Sequence, residues 1–578
     1  MVRVITYYPY MSSIVGKKRG EATYYYLVES ARVGGKPRIV SQEYLGTAEE
    51  LAAAMRGGGL GLPDRVQHKD FGAIAAAWGM LEDLGVAAII DQVAGARRSD
   101  AGASAGTYLV LAALNRLADP CSKRAFADWW ARTAAPRFTK IPASVLDHRR
   151  FWDAMHAVPL EALEEISHRI AVRIAGEFGL DCSSVALDMT NFATFIDTGN
   201  GKAPIAQRGK AKQKRSDLRL VGLGLVVTRD GGIPLAWRAY PGDKPDVTQF
   251  PALIGQLSAS HQAICAAAGQ QPAPQMTVVF DAGQNSGDNF AYLAGTGLRY
   301  IGSVPASDCP DLTSLPAGVR AVADQDRFGG LTAYDTRREV YGADRRVILT
   351  HSPELHQAQA RGFDGTTLAK AGRKLDELAA TLARGKTRRP REKVEAEIAS
   401  ITGKPWVRRV ISWQLDGEQP CDLRLTWSID QAARAALEEE IFGKHVLITS
   451  HDDWPAAEVI AGYRSQSEAE SSFRQLKDPH MVSFSPMHHW TEHNIRVHVF
   501  TCVLALQVAH LMRLKARRAG LDLSVRELLG ELAEIGETAL LYQAERGRPR
   551  AHRMLTDTTP VQDKLTEIFG LDRYAPRR

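Results

Sequence analysis

Apolar and polar residues change their spacing along this chain in blocks. YYYLVESARV and KPRIVSQEYLG read as a pair of strands, with Gly34-Gly35 between them at a hairpin turn. Residues 1–46 are therefore expected to form a small β unit. Thr47 and Glu50 have the spacing of a capping box that opens a helix. Over 47–180, apolar residues recur at three- and four-residue intervals, most clearly in FGAIAAAWGMLEDLGVAAIIDQV and AGTYLVLAALNRLADP. That spacing predicts an Ala-rich helical domain, with Trp129 and Trp130 in its core.

Beyond residue 180 the pattern becomes that of buried strands. SSVALDMT, RLVGLGLVVT and IPLAWRAYPG are strand-like runs, the last two joined by Arg229-Asp230-Gly231-Gly232, a strong hairpin signal. VTQFPALIGQL then reads as a helix, QMTVVFD as a strand, NSGDNFAYLAG as a helix and LRYIGSVP as a strand. Three strands, helix, strand, helix, strand is the element order of an RNase H-like core. The expected fold class is thus α/β, a mixed sheet flanked by helices over 181–307 and resumed over 445–520. Residues 308–444 are expected to form a β-rich insertion, from the runs GLTAYDTRREVYG, RRVILTHS, WVRRVISWQL and CDLRLTWSI, with a basic helix around TTLAKAGRKLDELAATLARGK. HVLITSHDDW returns the chain to the core, where Asp452 or Asp453 suits a cap on the next helix. Over 521–578, LSVRELLGELAEI reads as an amphipathic helix leading into a basic tail.

Two of the strand-like runs close on a carboxylate, Asp188 in LDMT and Asp281 in VVFD. A carboxylate there sits at a sheet edge and faces a ligand more readily than a core, although each also suits a cap on the turn that follows. A third acid lies in YRSQSEAESSFRQLK, where Tyr463, Glu470 and Lys477 fall at seven-residue intervals and so on nearly one helical face. An ordinary charged surface helix reads much the same. Arg474, four residues after Glu470, suits either a phosphate or an ion pair with Glu470. Three acids from distant parts of the chain meeting at one edge are far rarer by chance than any one alone. Hard oxygen ligands suit Mg²⁺ or Mn²⁺, and two such ions can relieve the charge on the attacking and leaving oxygens of a phosphodiester. Asp188, Asp281 and Glu470 are the catalytic and metal-ligand candidates, with Asp188 best suited to bridge the ions. Tyr463 and Lys477 are candidate phosphate contacts.

With these motifs in place, the chain resembles the DDE transposases of bacterial insertion sequences, specifically the class with a tyrosine, arginine, glutamate and lysine signature on the last catalytic helix. The resemblance rests on Asp188 in LDMT, Asp281 in VVFDAGQNSGDN and Glu470 in the Tyr463–Lys477 segment. It extends over RSDLRLVGLGLVVTRDGGIPLAWRAYPGDKPD, the apolar helix after PMHHWTEHNIRVH and the N-terminal β segment, roughly residues 20 to 515. One departure stands out: Gln466 occupies the position of the expected arginine, and Arg464 lies roughly 200° around the helix from it.

The resemblance implies a transposase, a polynucleotidyl transferase and endonuclease using two Mg²⁺ ions, with Mn²⁺ as substitute. Water would first free a 3′-hydroxyl at the transposon end, and that hydroxyl would then attack target DNA. It also implies end-DNA binding by residues 47–180, a β-rich insertion before the last acid, double-stranded terminal inverted repeats as partner, and a homodimer that synapses two ends. The residues alone permit a purely structural bundle at 47–180. Two other readings are a catalytically silent DNA-binding protein and an RNase H-like nuclease that cuts without joining.

Composition changes this picture little. A chain of 578 residues should split into several domains, and its net charge of +6, from 72 basic and 66 acidic side chains, argues only weakly for nucleic acid. The distribution says more. Arg208, Lys210, Lys212, Lys214, Arg215 and Arg219 crowd the approach to one strand; Arg384, Lys386, Arg388, Arg389, Arg391 and Lys393 form a second cluster, and Arg546, Arg548, Arg550 and Arg553 a third. Each alone also reads as a solvated face; three beside a carboxylate site favour a phosphate backbone. Six scattered cysteines without a C-x-x-C pair argue against a zinc ribbon or disulfide framework and suit a reducing cytoplasm, where the resemblance implies a bacterial, nucleoid-associated protein. The N-terminus lacks a signal-peptide core, and the run FTCVLALQVAHLM, interrupted by Gln507 and His510, reads as too short to span a bilayer. His488, His489, His493 and His498 lack an H-E-x-x-H arrangement, so Thr491 is expected to cap a helix there while the histidines pack or face solvent.

Overall fold

A computed structural model describes residues 11–19, 22–33, 36–50, 63–95, 102–215, 217–271, 273–386, 388–542 and 550–577. The chain divides into two compact units, one made of residues 1–70, 535–557 and 575–578, the other of 71–534 and 558–574.

The first unit holds two antiparallel sheets. β1 (Met11–Arg19), β2 (Ala22–Val33) and β3 (Lys36–Thr47) form one; Gly34 and Gly35 lie outside the described residues. The capping box is present: the Thr47 N–H donates to the Glu50 carboxylate at 2.8 Å and the Glu50 N–H to the Thr47 hydroxyl at 3.2 Å. The other sheet, ordered β17-β16-β4, joins β4 (Arg65–Asp70) to β16 (Gly536–Tyr542) and β17 (Arg550–Leu555). The C-terminal segment read as a basic tail is therefore partly strand. Its pairing partner precedes it by more than 450 residues, so no local pattern could announce it.

The second unit is built on a nine-stranded mixed sheet flanked by helices, ordered β10-β11-β12-β15-β9-β8-β5-β6-β7. Its strands are β5 (Ser184–Thr194), β6 (Arg219–Thr228), β7 (Pro234–Pro241), β8 (Thr277–Val279), β9 (Arg299–Val304), β10 (Ala321–Val322), β11 (Thr332–Val340), β12 (Ala343–His351) and β15 (Lys444–Thr449). β5, β6 and β7 are successively antiparallel, whereas β8 runs parallel to both β5 and β9. Every residue of β6 is buried, which requires cover on both faces and explains why RLVGLGLVVT is apolar without alternation. The β6–β7 turn needs its glycines: Gly231 and Gly232 have φ of 92° and 65°, and a Cβ on Gly232 would stand 2.8 Å from a Glu468 carboxylate oxygen.

The region 308–444 is less β-rich than its pattern suggests. β10, β11 and β12 extend the main sheet through β15. The stretch that follows β12 is mostly helical (Pro353–Gly362, Ala369–Ala383, Arg391–Ile401, Pro405–Val410 and Gln431–Ile441), with one strand pair, β13 (Ile411–Asp416) and β14 (Arg424–Ile429). It packs its own core around Leu375, Leu382, Val394, Leu437 and Phe442. In WVRRVISWQL, Pro405 presets the first helical turn, so only the second half becomes strand. Neither Asp452 nor Asp453 caps the helix Ala456–Arg464; Asp452 pairs with Arg337 at 2.7 Å.

Helices Gly72–Asp83, Val86–Ala94, Ala105–Ala118, Phe126–Arg132, His148–His156 and Ala162–Phe178 fill the N-terminal part of this unit. Trp129 and Trp130 are fully buried with Phe126 and Phe151, whose ring centres lie 4.6 Å apart. Trp130→Ala is expected to cost roughly 3–5 kcal/mol in urea unfolding, the usual loss for a buried tryptophan. The helix Glu492–Arg518 is, by length and composition, long and apolar enough to cross a membrane, contrary to the reading of its central run as too short; it is nevertheless buried almost throughout within the protein.

Candidate active site

β5 and β8 run parallel with Ala186 opposite Val279, so Asp188 and Asp281 each follow this pair by two residues. Asp281 lies just past the end of β8, whereas Asp188, expected to close its strand, sits midway along β5, which continues to Thr194 because β6 pairs with it throughout. Glu470 comes from the helix Gln466–Leu476. Two side chains fasten that segment to β5. The Gln466 amide donates to the Leu187 carbonyl at 2.9 Å, and the Lys477 ammonium donates to the Thr190 hydroxyl at 2.6 Å, lying 5.7 Å from the centre of the Phe192 ring. Glu470 stands between these tethers and is exposed.

Tyr463 and Glu470 do not share one continuous helix. The chain breaks at Ser465, whose N–H and hydroxyl both donate to the Gly462 carbonyl, at 3.1 and 2.6 Å, and tighten the turn. Tyr463 therefore ends one helix, and Glu470 belongs to the next. The phenol still faces the acids: its pKa is raised first by burial and then by the charges of Asp281, Glu470 and Asp188, against a hydrogen bond from Ser303. Asp188 is pushed up to about 7, chiefly by burial. The Lys212 ammonium opposes that shift, Asp281 adds to it, the Met189 N–H opposes it at 2.7 Å, and Glu470 adds to it. Asp281 and Glu470 thus act on Asp188, and all three acids act on one phenol. Burial, with Lys212 nearby, lowers the Lys477 pKa, and Asp188 opposes that change.

Arg208, Lys210, Lys212, Lys214 and Arg215 are exposed on the β5–β6 loop. Asn191 of β5 holds that loop, donating to the Lys210 carbonyl at 2.9 Å and accepting from the Lys212 N–H at 3.1 Å. Lys212 is more specific than its cluster suggests. Its ammonium donates to the Met189 carbonyl and pairs with Asp246 at 2.8 Å, next to Asp188. Arg215 is engaged with Asp217 at 2.7 Å. Arg219 leaves the basic face altogether: it is buried and donates to the Ala206, Asp197 and Asn200 carbonyls, stapling the loop. Sequence reading overlooked Asn191, Thr190, Ser303 and Asp246, because single polar residues on loops and strands carry no periodic signal. In the other clusters, Arg389 and Arg391 pair with Glu397 and Glu395, and Arg553 with Glu537; Arg546 and Arg548 lie outside the described residues. Arg474 is exposed and, among the described residues, makes no ion pair with Glu470.

Gln466 is a tether. It is 5% exposed, and its donor group is spent on β5. Gln466→Ala is expected to cost roughly 1–3 kcal/mol in chemical unfolding, the penalty for stranding the Leu187 carbonyl. It should also loosen the helix that carries Glu470.

Among the described residues, no group of three His, Cys, Asp or Glu is arranged to hold a metal ion as it stands. The donor chemistry nonetheless fits a hard divalent cation. Three carboxylates act on one phenol, none of them is in an ion pair among the described residues, and Asp188 resists ionisation chiefly because it is buried, which Lys212 only partly offsets. The histidines serve structure: His493 and His498 bond the Met155 and Phe484 carbonyls at 2.9 and 2.8 Å, while the Thr491 hydroxyl caps its helix by accepting from the Asn494 N–H.

No protein-family model matches the chain, and no curated protein matches it. Among solved structures it is similar to a piggyBac transposase synaptic complex with hairpin DNA, at a TM-score of 0.37 and 8% identity over 81% of this chain and 82% of that one. A likeness this slight bears on neither the residues nor the chemistry.

Proposed function

We propose that this chain is a DNA transposase with an RNase H-like core, acting through Asp188, Asp281 and Glu470. The observation that carries the reading is the gathering of these acids, from three separate stretches of chain, where Asp281 and Glu470 act on Asp188 and all three act on Tyr463. The strand order β7-β6-β5-β8-β9, antiparallel and then parallel, supports the RNase H-like core. The three carboxylates would hold Mg²⁺ or Mn²⁺, which when bound supplies Lewis-acid stabilisation of the attacking and leaving oxygens.

The protein's own groups do the rest. Tyr463 and Lys477 flank the acids and present a hydroxyl and an ammonium to a phosphate. Exposed Arg474 and the β5–β6 loop cations offer charge to the duplex backbone, whose contacts are expected to weaken with salt. Burial makes the Asp188 carboxylate costly to ionise despite Lys212, so a divalent cation would compensate it. Synapsis of two ends calls for a homodimer.

The test is strand cleavage and joining on labelled element-end duplex with Mg²⁺ or Mn²⁺. Cutting followed by joining is the expected result. Cutting without joining would replace this reading with a nuclease, and binding without cutting would replace it with a silent DNA-binding protein.

A further inference from the structure

A second basic site lies apart from the carboxylates. A cavity of about 360 Å³ opens between the N-terminal helices and the segment that follows the Glu470 helix. Its lining includes two arginines, a lysine and four histidines, and no carboxylate. Arg116 is 1% exposed; its guanidinium donates to the Cys121 and Pro486 carbonyls and to the Asn115 side chain, while its Nε has no hydrogen-bond partner. The Lys123 ammonium likewise has neither solvent contact nor hydrogen-bond partner, and it faces the Phe151 ring at 5.2 Å.

No carboxylate reaches Arg116 or Lys123 inside the cavity: Asp147 stands beside the lining residue His148, at 3.3 Å, and caps its own helix by accepting from the Arg149 N–H. Asp119, the carboxylate that acts on Arg116, is exposed and does not line the cavity. Burial keeps the Cys121 and Cys502 thiols protonated, the latter pushed up to about 11. Burial also lowers Lys123 to about 7, and burial with the two cations lowers His489 to about 3, so that imidazole stays neutral and can still donate an N–H. Two buried cations facing a cavity without a counter-charge are costly unless an anion completes the site. Arg124 and Trp152, both partly exposed, stand at the mouth.

We infer that this cavity binds a phosphate group, with Arg116 and Lys123 beneath it and Arg124 and Trp152 receiving the remainder of a nucleotide-sized ester. The volume lies within the ordinary range for small-ligand sites and exceeds the need of a bare ion. The phosphate is carried either by a small molecule or by a nucleic-acid end, and the inference stands independently of the transposase reading.

The test is thermal unfolding of the full chain titrated with inorganic phosphate, against NaCl at matched ionic strength. A saturable rise in Tm specific to phosphate is expected, because a ligand that binds only the folded state stabilises it. Lys123→Met should abolish that rise, and at pH 6, where the lysine is charged, should itself raise Tm in phosphate-free buffer by removing an uncompensated buried charge. Arg124→Ser, at the exposed mouth, should weaken phosphate binding by about tenfold, the loss of one charge-assisted hydrogen bond, and tests the site even where Lys123→Met fails to fold. Comparing dAMP with 5′-phosphorylated and 5′-hydroxyl oligonucleotides identifies the source: preference for the phosphorylated oligonucleotide assigns a nucleic-acid end, and preference for dAMP a free nucleotide. Absence of a phosphate-specific shift, or an unchanged shift in both variants, overturns the inference.

Discussion

Glu470→Gln is expected to lower metal-dependent strand cleavage by about 10³-fold or more while leaving DNA binding and stability nearly unchanged. Glu470 is exposed and, among the described residues, in no ion pair, so the isosteric amide disturbs neither packing nor a salt bridge. What it removes is one negative ligand from a set of three. Metal-borne charge stabilisation is worth several kcal/mol in a transition state, and three decades of rate correspond to about 4 kcal/mol. Single-turnover cleavage of labelled end DNA measures the rate, and a gel-shift titration measures binding. Cleavage within tenfold of wild type would remove Glu470 from the chemistry and undo the proposed function.

Asp188→Asn should stabilise the metal-free protein while abolishing its activity. The carboxyl is raised from an ordinary 3.8 to about 7 in the folded protein, chiefly by burial. A raised folded-state pKa means that folding takes up a proton. The stability this brings is complete below the ordinary carboxylate range and is lost as pH climbs through about 7. Across that window the wild type should lose on the order of 4 kcal/mol at this site, a loss that an asparagine, which cannot ionise, escapes. Urea unfolding in EDTA at pH 4 and pH 8 checks this. The two proteins should be close at pH 4, and the variant clearly more stable at pH 8. Adding Mg²⁺ at pH 8 should stabilise the wild type and leave the variant unmoved. Equal stability at both pH values would mean that Asp188 is not held in a charge-poor setting.

Much of the local architecture is legible in single segments. SSVALDMT, RLVGLGLVVT, IPLAWRAYPG, QMTVVFD and LRYIGSVP become β5 to β9, because strand period and apolar runs are properties of adjacent residues. The Gly231-Gly232 turn, the Thr47–Glu50 box and the Thr491 cap follow from backbone requirements met within a few positions. The regular part of WVRRVISWQL was ambiguous because a short apolar run suits helix and strand equally.

Other features depend on residues far apart in the chain. Arg219 and Lys212 look alike in a basic run, yet one is buried under carbonyls and the other stands beside Asp188, a difference set by where the β5–β6 loop folds back. The break at Ser465 leaves no mark in the seven-residue spacing of Tyr463, Glu470 and Lys477. By itself the sequence determined the strands β5 to β9 and the helices between them, and the charge each segment carries, since these depend on neighbours along the chain; that β5 runs on past Asp188 to Thr194 was not legible there. Only the tertiary structure decided that β16 pairs with β4, that β11 and β12 widen the central sheet, and that Arg116 and Lys123 share a cavity without a counter-ion. Pairing, burial and electrostatic coupling are set by the residues packed across from a side chain, and those lie elsewhere in the chain.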